Sequence, residues 1–502
     1  MNVMAAPAVT LRGAHTTWAW AWTAGSALLI AVLHIPSFAH RLLDGDEAVY
    51  GGIAALVNQG QTLYADGGVD NKPPGIFWVY ALTFDVFGRY QMTAIHAVEL
   101  VAVLATCAVL AAIGWTVACP RAGLLAALLY GALTASGNPR LLAANTEVFM
   151  VLPLSAAFLL LLRREWFWAA VLMVAGGAFK QVAAVDVLLL PVALAVLEPR
   201  ETRRRSALVF TGGIGAALAI GAVAIALTAS LPDFWRWTVE SLTGYASGNW
   251  APANLWARAQ GSLVPFVASA AFAWIAALAV ATRWRALSAP EKVAVAWLVL
   301  SFVGAMAAGH LAWHYFIQVM PPLALLAALN LERALNWERR RAVAALAIAG
   351  VAIPAVYWFA FDLGADPLTY DWSTAPAQHE QVATYMSAHT GPDDRVFVWG
   401  VWAALYVESD RLMATRFPGF LSGVPRGAGP PPVAWDTAPD VWPLVRSDLE
   451  RHPPALIVDT SAAGWSDFSY PMSDYPLLAQ FVSAHYKQVA TVDGVVIYAR
   501  SS

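Results

Sequence analysis

The chain has 502 residues, of which 59% are hydrophobic and only 13% charged, and its mean hydropathy is +0.57. A soluble chain of this length carries about twice that charged fraction, so the composition excludes an ordinary soluble protein and predicts a polytopic membrane protein. The formal net charge of -3 gives no basic footprint, so no nucleic-acid partner is expected. Cys107 and Cys119 stand about three helical turns apart, too far for a disulfide.

Apolar stretches long enough to cross a bilayer predict about eleven transmembrane helices. They cover residues 18–36, 92–117, 122–135, 148–162, 166–179, 182–197, 207–231, 263–281, 293–309, 315–329 and 342–361. The first is interpreted as a retained helix rather than a signal peptide, because no small-residue cleavage site follows it.

The distribution of Lys and Arg predicts the orientation of these helices. With a cytoplasmic N-terminus, the inner loops hold roughly fifteen Lys and Arg and the outer loops roughly seven. An odd number of helices then places the C-terminus outside. The same assignment puts six chemically interesting side chains on the outer side: Asp46, Lys72, Arg140, Glu147, Lys180 and His314.

The first outer loop, residues 37–90, is too long and too patterned to be a simple connection. Residues 47–59 and 75–87 read as two short amphipathic helices, and the second is rich in aromatic residues. Such helices suit the membrane interface, where they would hold the charged residues of this loop at the bilayer surface.

Beyond residue 361 the apolar stretches become too short to span a membrane. The chain therefore divides into a transmembrane domain, residues 1–361, and an extracytoplasmic soluble domain, residues 362–502. The second has an α/β pattern: a helix at 377–389, strands at 395–400 and 455–459, a Pro/Gly-rich loop at 419–432, and a hairpin around Asp493-Gly494.

The motif DGDEAVYGG, beginning at Asp44, follows the first predicted span and contains three carboxylates. A capping box formed by Asp44 and Glu47 explains two of them and leaves Asp46 unexplained. Ionisable groups at a membrane boundary are costly to desolvate and point to a functional site. Asp46 and Glu47 are therefore the candidate catalytic residues, with a carboxylate acting as general base toward an attacking hydroxyl.

Six further residues extend this candidate site. Lys72, in NKPPG, is positioned by rigid prolines and fits either phosphate binding or simple snorkelling. Arg140, Asn145 and Glu147 follow the third span, where Asn145 could equally cap the next helix. Lys180 lies between two apolar segments and needs an anion, water or a snorkelling path. A lone interfacial His such as His314 is more often structural than catalytic.

In this order, the motifs DGDEAVY, NKPPG, NTEVFMVLP, GGAFKQVAAVDVLLLP and HYFIQVMPPLALLAAL resemble the GT-C glycosyltransferases that use polyprenyl-phosphate sugars. Within that class the sequence resembles the protein O-mannosyltransferase and lipid A aminoarabinose transferase group, and the resemblance covers residues 15 to 360. It implies a GT-C fold with a polyprenyl-phosphate-sugar donor.

The resemblance also implies roles for individual residues. Asp46 corresponds to the catalytic base, Lys72 to a lysine that contacts the donor or the acidic groups, Glu147 to an acidic residue after the third span, and Lys180 to the lysine that binds lipid phosphate. Arg140 and His314 are further candidate phosphate ligands, and Asp44 and Asn145 are supporting residues. Asn71 replaces an acid of the aminoarabinose transferases, which leaves any divalent metal ion an open question.

The sequence thus predicts an inverting glycosyltransferase in the bacterial inner membrane, with a hexosyl or pentosyl donor on polyprenyl phosphate and a glycan, lipid or protein acceptor. The alternative is a transporter or lipid flippase, which would place polar residues near mid-bilayer. Only Glu99 and Asp186 lie there in the predicted helices, which favours the enzyme. An inactive scaffold would not explain why Asp46, Lys72 and Lys180 occur together.

Overall fold

The computed structural model describes residues 13–136, 138–240, 250, 252–335, 348, 350, 352, 355–356, 378–419, 441–464 and 471–501. Up to residue 335 these are mainly helical. The α-helices are α1 (Gly13–Leu33), α2 (Gly45–Asn58), α3 (Gly75–Phe87), α4 (Met92–Val117), α5 (Pro120–Thr134), α6 (Thr146–Leu162), α7 (Trp166–Gly177), α8 (Leu189–Leu197), α9 (Arg203–Thr228), α10 (Leu231–Trp235), α11 (Pro252–Arg258), α12 (Val264–Ser269), α13 (Ala271–Leu278), α14 (Ala289–Met306) and α15 (Met320–Leu335).

The predicted spans coincide with helices, but their number is not confirmed. Within the described ranges, four helices are long and apolar enough to cross a membrane, and a fifth arises if one bent pair counts as a single span. Several other apolar helices have only 10–17 residues. The predicted span 342–361 falls largely outside the described residues.

Three predicted spans are less regular than a single straight helix. The stretch 263–281 is broken, with a 68° bend between its halves. The stretches 182–197 and 315–329 begin as 3-10 helices, Gln181–Leu188 and Trp313–Val319, before α8 and α15 start. Pro191, Pro321 and Pro322 have no backbone N–H. The first turns of α8 and α15 therefore cannot form regular α-helical hydrogen bonds to the residues that precede them.

The two helices predicted in the first outer loop are present as α2 and α3, and the predicted bounds of α3 are confirmed. Three of the five aromatic side chains of α3 face the protein interior, whereas Phe87 is exposed. Phe77, Tyr80 and Phe84 are almost completely buried, and Tyr50 of α2 makes edge-to-face contacts with Phe77 and Tyr80. Buried area and aromatic geometry thus fix α3 against α2.

The region after residue 378 contains a five-stranded sheet with the strand order β2-β1-β3-β5-β4. Its elements are α16 (Gln378–Ala388), β1 (Arg395–Trp399), α17 (Ala404–Ser409), β2 (Leu412–Met413), α18 (Trp442–Arg451), β3 (Leu456–Asp459), α19 (Pro476–His485), β4 (Tyr486–Val492) and β5 (Val495–Arg500). β1 pairs in parallel with β2 and β3, whereas β5 pairs antiparallel with β3 and β4.

The predicted helix, strands and hairpin of this α/β region are therefore confirmed. The predicted domain boundary at residue 362 and nearly all of the loop 419–432 lie outside the described residues. That this region is a separate soluble domain stays a prediction.

The glycines of DGDEAVYGG bring α2 against the α/β region. A Cβ atom at Gly52 would lie 2.9 Å from the Met413 sulfur, and one at Gly51 would lie 3.4 Å from Val407. Backbone can approach this closely only where side chains are absent. The motif thus joins the first outer loop to β2 and α17.

Candidate active site

The predicted site residues converge at one end of the helices, although they come from five separate parts of the chain. Asp44 and Asp46 lie at the start of α2, and Lys72 lies in the loop before α3. Arg140, Asn145 and Glu147 lie between α5 and the first turn of α6. Lys180 and His314 stand at the starts of the two 3-10 helices.

Asp44 lies at the centre of a cationic and polar ring. It is the N-cap of α2 and forms the predicted capping box with Glu47. Its carboxylate also lies 3.1 Å from His314 Nδ1 and 3.9 Å from Arg140 Nε, and it accepts a 3.0 Å hydrogen bond from Asn145. Asp44 therefore joins the start of α2 to the segment between α5 and α6 and to the segment of His314.

Asp46 is the most accessible carboxylate of the cluster, with 35% of its side chain exposed. Its Oδ2 accepts a 3.2 Å hydrogen bond from the Tyr50 hydroxyl. The same oxygen lies 3.9 Å from Lys72 Nζ and 3.8 Å from His314 Nε2. Asp46 is thus partly accessible, so an acceptor hydroxyl can reach it, as a general base requires.

Glu47 occupies a different environment from its neighbour, because its side chain is completely buried. Its two oxygens accept hydrogen bonds from the backbone N–H groups of Leu43 and Ala144, each at 2.7 Å, and lie 3.1 Å from His96 Nε2. These contacts leave no lone pair directed into the site. The position argues against the predicted catalytic role and makes Glu47 a fixed support for α2.

The KPPG motif places Lys72 through close backbone packing. A Cβ atom at Gly75 would lie only 2.6 Å from the carbonyl oxygen of Ala178, and the Gly75 N–H donates to that oxygen at 2.8 Å. This contact ties the loop of Lys72 to the segment that carries Lys180. Lys72 also lies 3.6 Å from Asp70, so it stands between two carboxylates.

Lys180 is buried and forms an ion pair with Glu147. Its ammonium lies 3.2 Å from the centroid of the Tyr315 ring, a cation–π contact, and Tyr315 in turn packs against His314. Asn145 is the N-cap residue of α6, yet its side chain makes no capping bond and donates to Asp44 instead. The capping interpretation of Asn145 is therefore wrong.

Two buried acids of the outer loop, Asp44 and Asp70, have opposite pKa shifts. Burial alone would raise the pKa of Asp44, but Arg140, His314 and Asn145 outweigh it and hold the pKa well below its usual range. Burial raises the pKa of Asp70 above 3.8 because Lys72 only partly offsets it and the nearby Asp46 adds repulsion. The neighbours of Asp44 therefore outweigh its burial, whereas those of Asp70 do not.

The carboxylate and imidazole groups of this cluster do not share one centre, as the ligands of a divalent metal ion would. Carboxylate and imidazole ligands must converge on one point. Among the residues that the structure describes, no three His, Cys, Asp or Glu side chains do so. Asp44, Asp46, Asp70 and Glu147 each have a cationic neighbour instead, so this arrangement does not fit a divalent ion.

Three residues of the site were missed by the sequence analysis. Asp70 lies inside the quoted motif DNKPPG, and Tyr315 follows His314 directly. Tyr50 stands four residues after Asp46, the spacing that brings two side chains together on one helix face. That spacing was a usable signal, whereas the contact of Tyr315 with Lys180 joins distant parts of the chain.

The fold matches solved structures, although no family model and no curated protein matches the sequence. ArnT from Cupriavidus metallidurans bound to undecaprenyl phosphate matches with a TM-score of 0.62 at 15% identity, over 97% of this chain and 99% of that chain. The archaeal oligosaccharyltransferase AglB from Archaeoglobus fulgidus, in complex with an inhibitory peptide and a dolichol-phosphate, matches with a TM-score of 0.54 at 13% identity, over 97% and 75% of the two chains.

At these identities the likeness establishes the fold. It extends over nearly the whole chain and includes the α/β region. The GT-C fold predicted from the motifs is confirmed.

Proposed function

We propose that this chain is an integral-membrane glycosyltransferase that moves a sugar from a polyprenyl-phosphate donor to an acceptor hydroxyl. The main support is an accessible Asp46 carboxylate set among Lys72, Arg140, Lys180 and His314 at one end of a GT-C fold. Structures with this fold hold undecaprenyl phosphate in ArnT and a dolichol-phosphate in AglB.

In the proposed reaction Asp46 accepts the proton of the acceptor hydroxyl. The hydroxyl oxygen attacks the anomeric carbon from the face opposite the lipid phosphate, and the bond between that carbon and the phosphate oxygen breaks. The bonding electrons leave with the phosphate. A single displacement of this kind inverts the anomeric centre, and the site needs no covalent intermediate. No step is assigned to a metal ion.

The cations have separate tasks in this scheme. Lys180 and Arg140, with His314, stabilise the negative charge of the departing phosphate, since charge-assisted contacts in a water-poor site are strong. Glu147 holds Lys180 in place before the donor enters. Lys72, which lies between Asp46 and Asp70, orients Asp46.

The membrane arrangement follows the sequence analysis and is part of the proposal. The site faces the outer side of a bacterial inner membrane, the N-terminus is cytoplasmic, and residues 362–502 form an extracytoplasmic domain. The donor carries a hexose or a pentose, and the acceptor is a glycan, a lipid or a protein.

A reconstituted assay tests the proposal. Purified protein in proteoliposomes is given a panel of undecaprenyl-phospho-hexoses and undecaprenyl-phospho-pentoses together with glycan, lipid and peptide acceptors, and mass spectrometry follows release of undecaprenyl phosphate and glycosylation of the acceptor. The proposal expects release from at least one donor, and release should depend on Asp46. Movement of a labelled donor between leaflets without its consumption would instead support the flippase.

A further inference from the structure

The loop 61–74, which carries Asp70 and Lys72, has little regular structure of its own. Its own hydrogen bonds hold the turn at residues 61–68, and the loop also makes contacts with its neighbours on two sides. One side of the loop meets the membrane-domain helices. Ser230 N–H donates to Leu63 O at 3.3 Å, Trp237 Nε1 donates to Tyr64 O at 3.1 Å, and Gln181 Nε2 donates to Asn71 O at 2.6 Å.

The other side of the loop is held by the α/β region, chiefly by Arg416. The Arg416 guanidinium donates to the carbonyl oxygen of Ala65, and the Val69 N–H donates to the Arg416 carbonyl at 2.9 Å. Two weaker contacts flank these: Arg395 donates to Gln61 at 3.0 Å, and Arg451 lies 3.7 Å from Asp66.

The Arg416 side chain is itself fixed by a bidentate interaction with Asp448. Its Nε and Nη2 donate to the two oxygens of Asp448 at 2.8 and 2.7 Å, and its backbone N–H donates to the same carboxylate at 3.0 Å. Bidentate geometry of this kind fixes orientation as well as adding energy. The α18 helix, which carries Asp448, therefore sets the position of the Arg416 side chain.

Tyr64 connects the Arg416 contact to Lys72. Ala65, which receives the Arg416 hydrogen bond, directly follows Tyr64, and the buried Tyr64 hydroxyl donates to the Lys72 carbonyl at 2.7 Å. The Tyr64 ring packs edge-to-face against Phe77 of α3. Tyr64 and Ala65 thus connect the Arg416 side chain to the backbone of Lys72 by hydrogen bonds and one peptide linkage.

We propose that Arg416 is a positioning residue for turnover, through which the α/β region holds Lys72 beside Asp46. The inference rests on the proposed function for the role of Lys72, and on the contacts above for the coupling itself. The α/β region then completes the active site, because it fixes one of the loops from which the site is built.

The test is a double-mutant cycle in the reconstituted assay. Arg416→Met should lower kcat about 10-fold with little change in donor KM, because small displacements of a catalytic group are costly. On a Lys72→Met background, Arg416→Met should cause no further loss, since it acts through Lys72. Arg416→Lys, which keeps the charge and loses the bidentate interaction, should fall between wild type and Arg416→Met.

The matched control is Arg446→Met on α18. Arg446 is exposed and pairs only along its own helix with Glu450 in the described contacts, so kcat should not change. If Arg416→Met fails to fold, Tyr64→Phe tests the same connection and should show the same dependence on Lys72. An equal further loss on the Lys72→Met background, or an unchanged kcat in the single variant, would overturn the proposal.

Hydrogen exchange separates this proposal from the proposed function. Arg416→Met should increase exchange in the peptide that covers residues 61–74, whether or not a donor is turned over. Unchanged exchange there would mean that Arg416 does not hold the loop. Increased exchange in a protein that releases no undecaprenyl phosphate would leave the coupling supported and the glycosyltransferase proposal rejected.

Discussion

Charged residues cluster at the start of α14 and again around His314, in the segment that follows α14. The two clusters are built differently. At the start of α14, Glu291 is nearly completely buried. It accepts hydrogen bonds from the backbone and hydroxyl of Ser288 at 3.0 and 2.8 Å, and lies 3.0 Å from Arg283 and 2.8 Å from Arg333. Beyond the other end, His314 approaches Asp44 and Asp46.

The difference lies in how fully each carboxylate is satisfied. Both carboxylate oxygens of Glu291 have short contacts, so its hydrogen-bonding capacity is fully used within the folded protein. Asp46 has one hydrogen bond, from Tyr50. His314 Nε2 and Lys72 Nζ lie farther away, at 3.8 and 3.9 Å, and the carboxylate remains partly exposed. Glu47, adjacent to Asp46, resembles Glu291. Unused bonding capacity, rather than charge alone, marks the candidate catalytic residue.

Asp46→Asn should produce the largest effect, because Asp46 is the carboxylate in this comparison that has a proposed catalytic role. We expect turnover to fall on the order of 10²-fold or more, as loss of a general base does, with donor binding little changed. Glu291→Gln is the matched control and should keep turnover near that of the wild type. Near-normal turnover in folded Asp46→Asn would remove Asp46 from the mechanism.

Lys180→Met should have the next largest effect. Methionine keeps the apolar stem and removes the charge, so a contact worth about 1.5–3 kcal/mol with the donor phosphate is lost. Affinity for undecaprenyl phosphate, measured by titration in detergent micelles, should fall roughly 10- to 100-fold. If affinity is unaltered, Lys180 only forms its ion pair with Glu147, and Lys72, Arg140 or His314 would be the phosphate-binding residue instead.

Glu47→Gln should separate support from catalysis. The amide group would face at least one of the N–H donors now bound by the carboxylate, so the free energy of unfolding should fall by about 1–3 kcal/mol. Turnover per folded molecule should stay within about 3-fold of wild type. Glu450→Gln on the exposed surface of α18 is the control for stability. A 10²-fold loss of turnover in folded Glu47→Gln would restore its predicted catalytic role.

Asp70→Asn should give the smallest effect, visible as a trend with pH. The pKa of Asp70 is raised above 3.8, so the wild type loses stability as pH rises from about that value through the folded-state pKa. The variant lacks this loss. Its Tm relative to wild type should therefore increase as pH rises, with the two proteins most alike below pH 3.8. A difference in Tm that shrinks with rising pH would contradict the assignment.

Local sequence signals predicted the local parts of this molecule. The Asp44–Glu47 capping box, the bounds of α3 and the hairpin at Asp493-Gly494 all follow from neighbouring residues, and each is present. Lys and Arg counting also grouped the site residues on one side, and the structure brings them together. These inferences needed no knowledge of which helices pack together.

The remaining features depend on tertiary contacts. The Asn145 side chain binds Asp44 rather than its own helix, because packing brings a buried carboxylate within 3.0 Å. The burial of Glu47 depends on Ala144 and His96, and the position of Lys72 depends on Arg416, more than 300 residues away. No pattern within one segment contains that information.

A structure of the protein with undecaprenyl phosphate, determined by electron cryomicroscopy in lipid nanodiscs, tests the central claim most directly. The account predicts density for the phosphate within hydrogen-bonding distance of Lys180, Arg140 or His314, with open space for a sugar between that phosphate and Asp46. Phosphate density bound elsewhere, with Lys180 still paired to Glu147 and no lipid near Asp46, would contradict it.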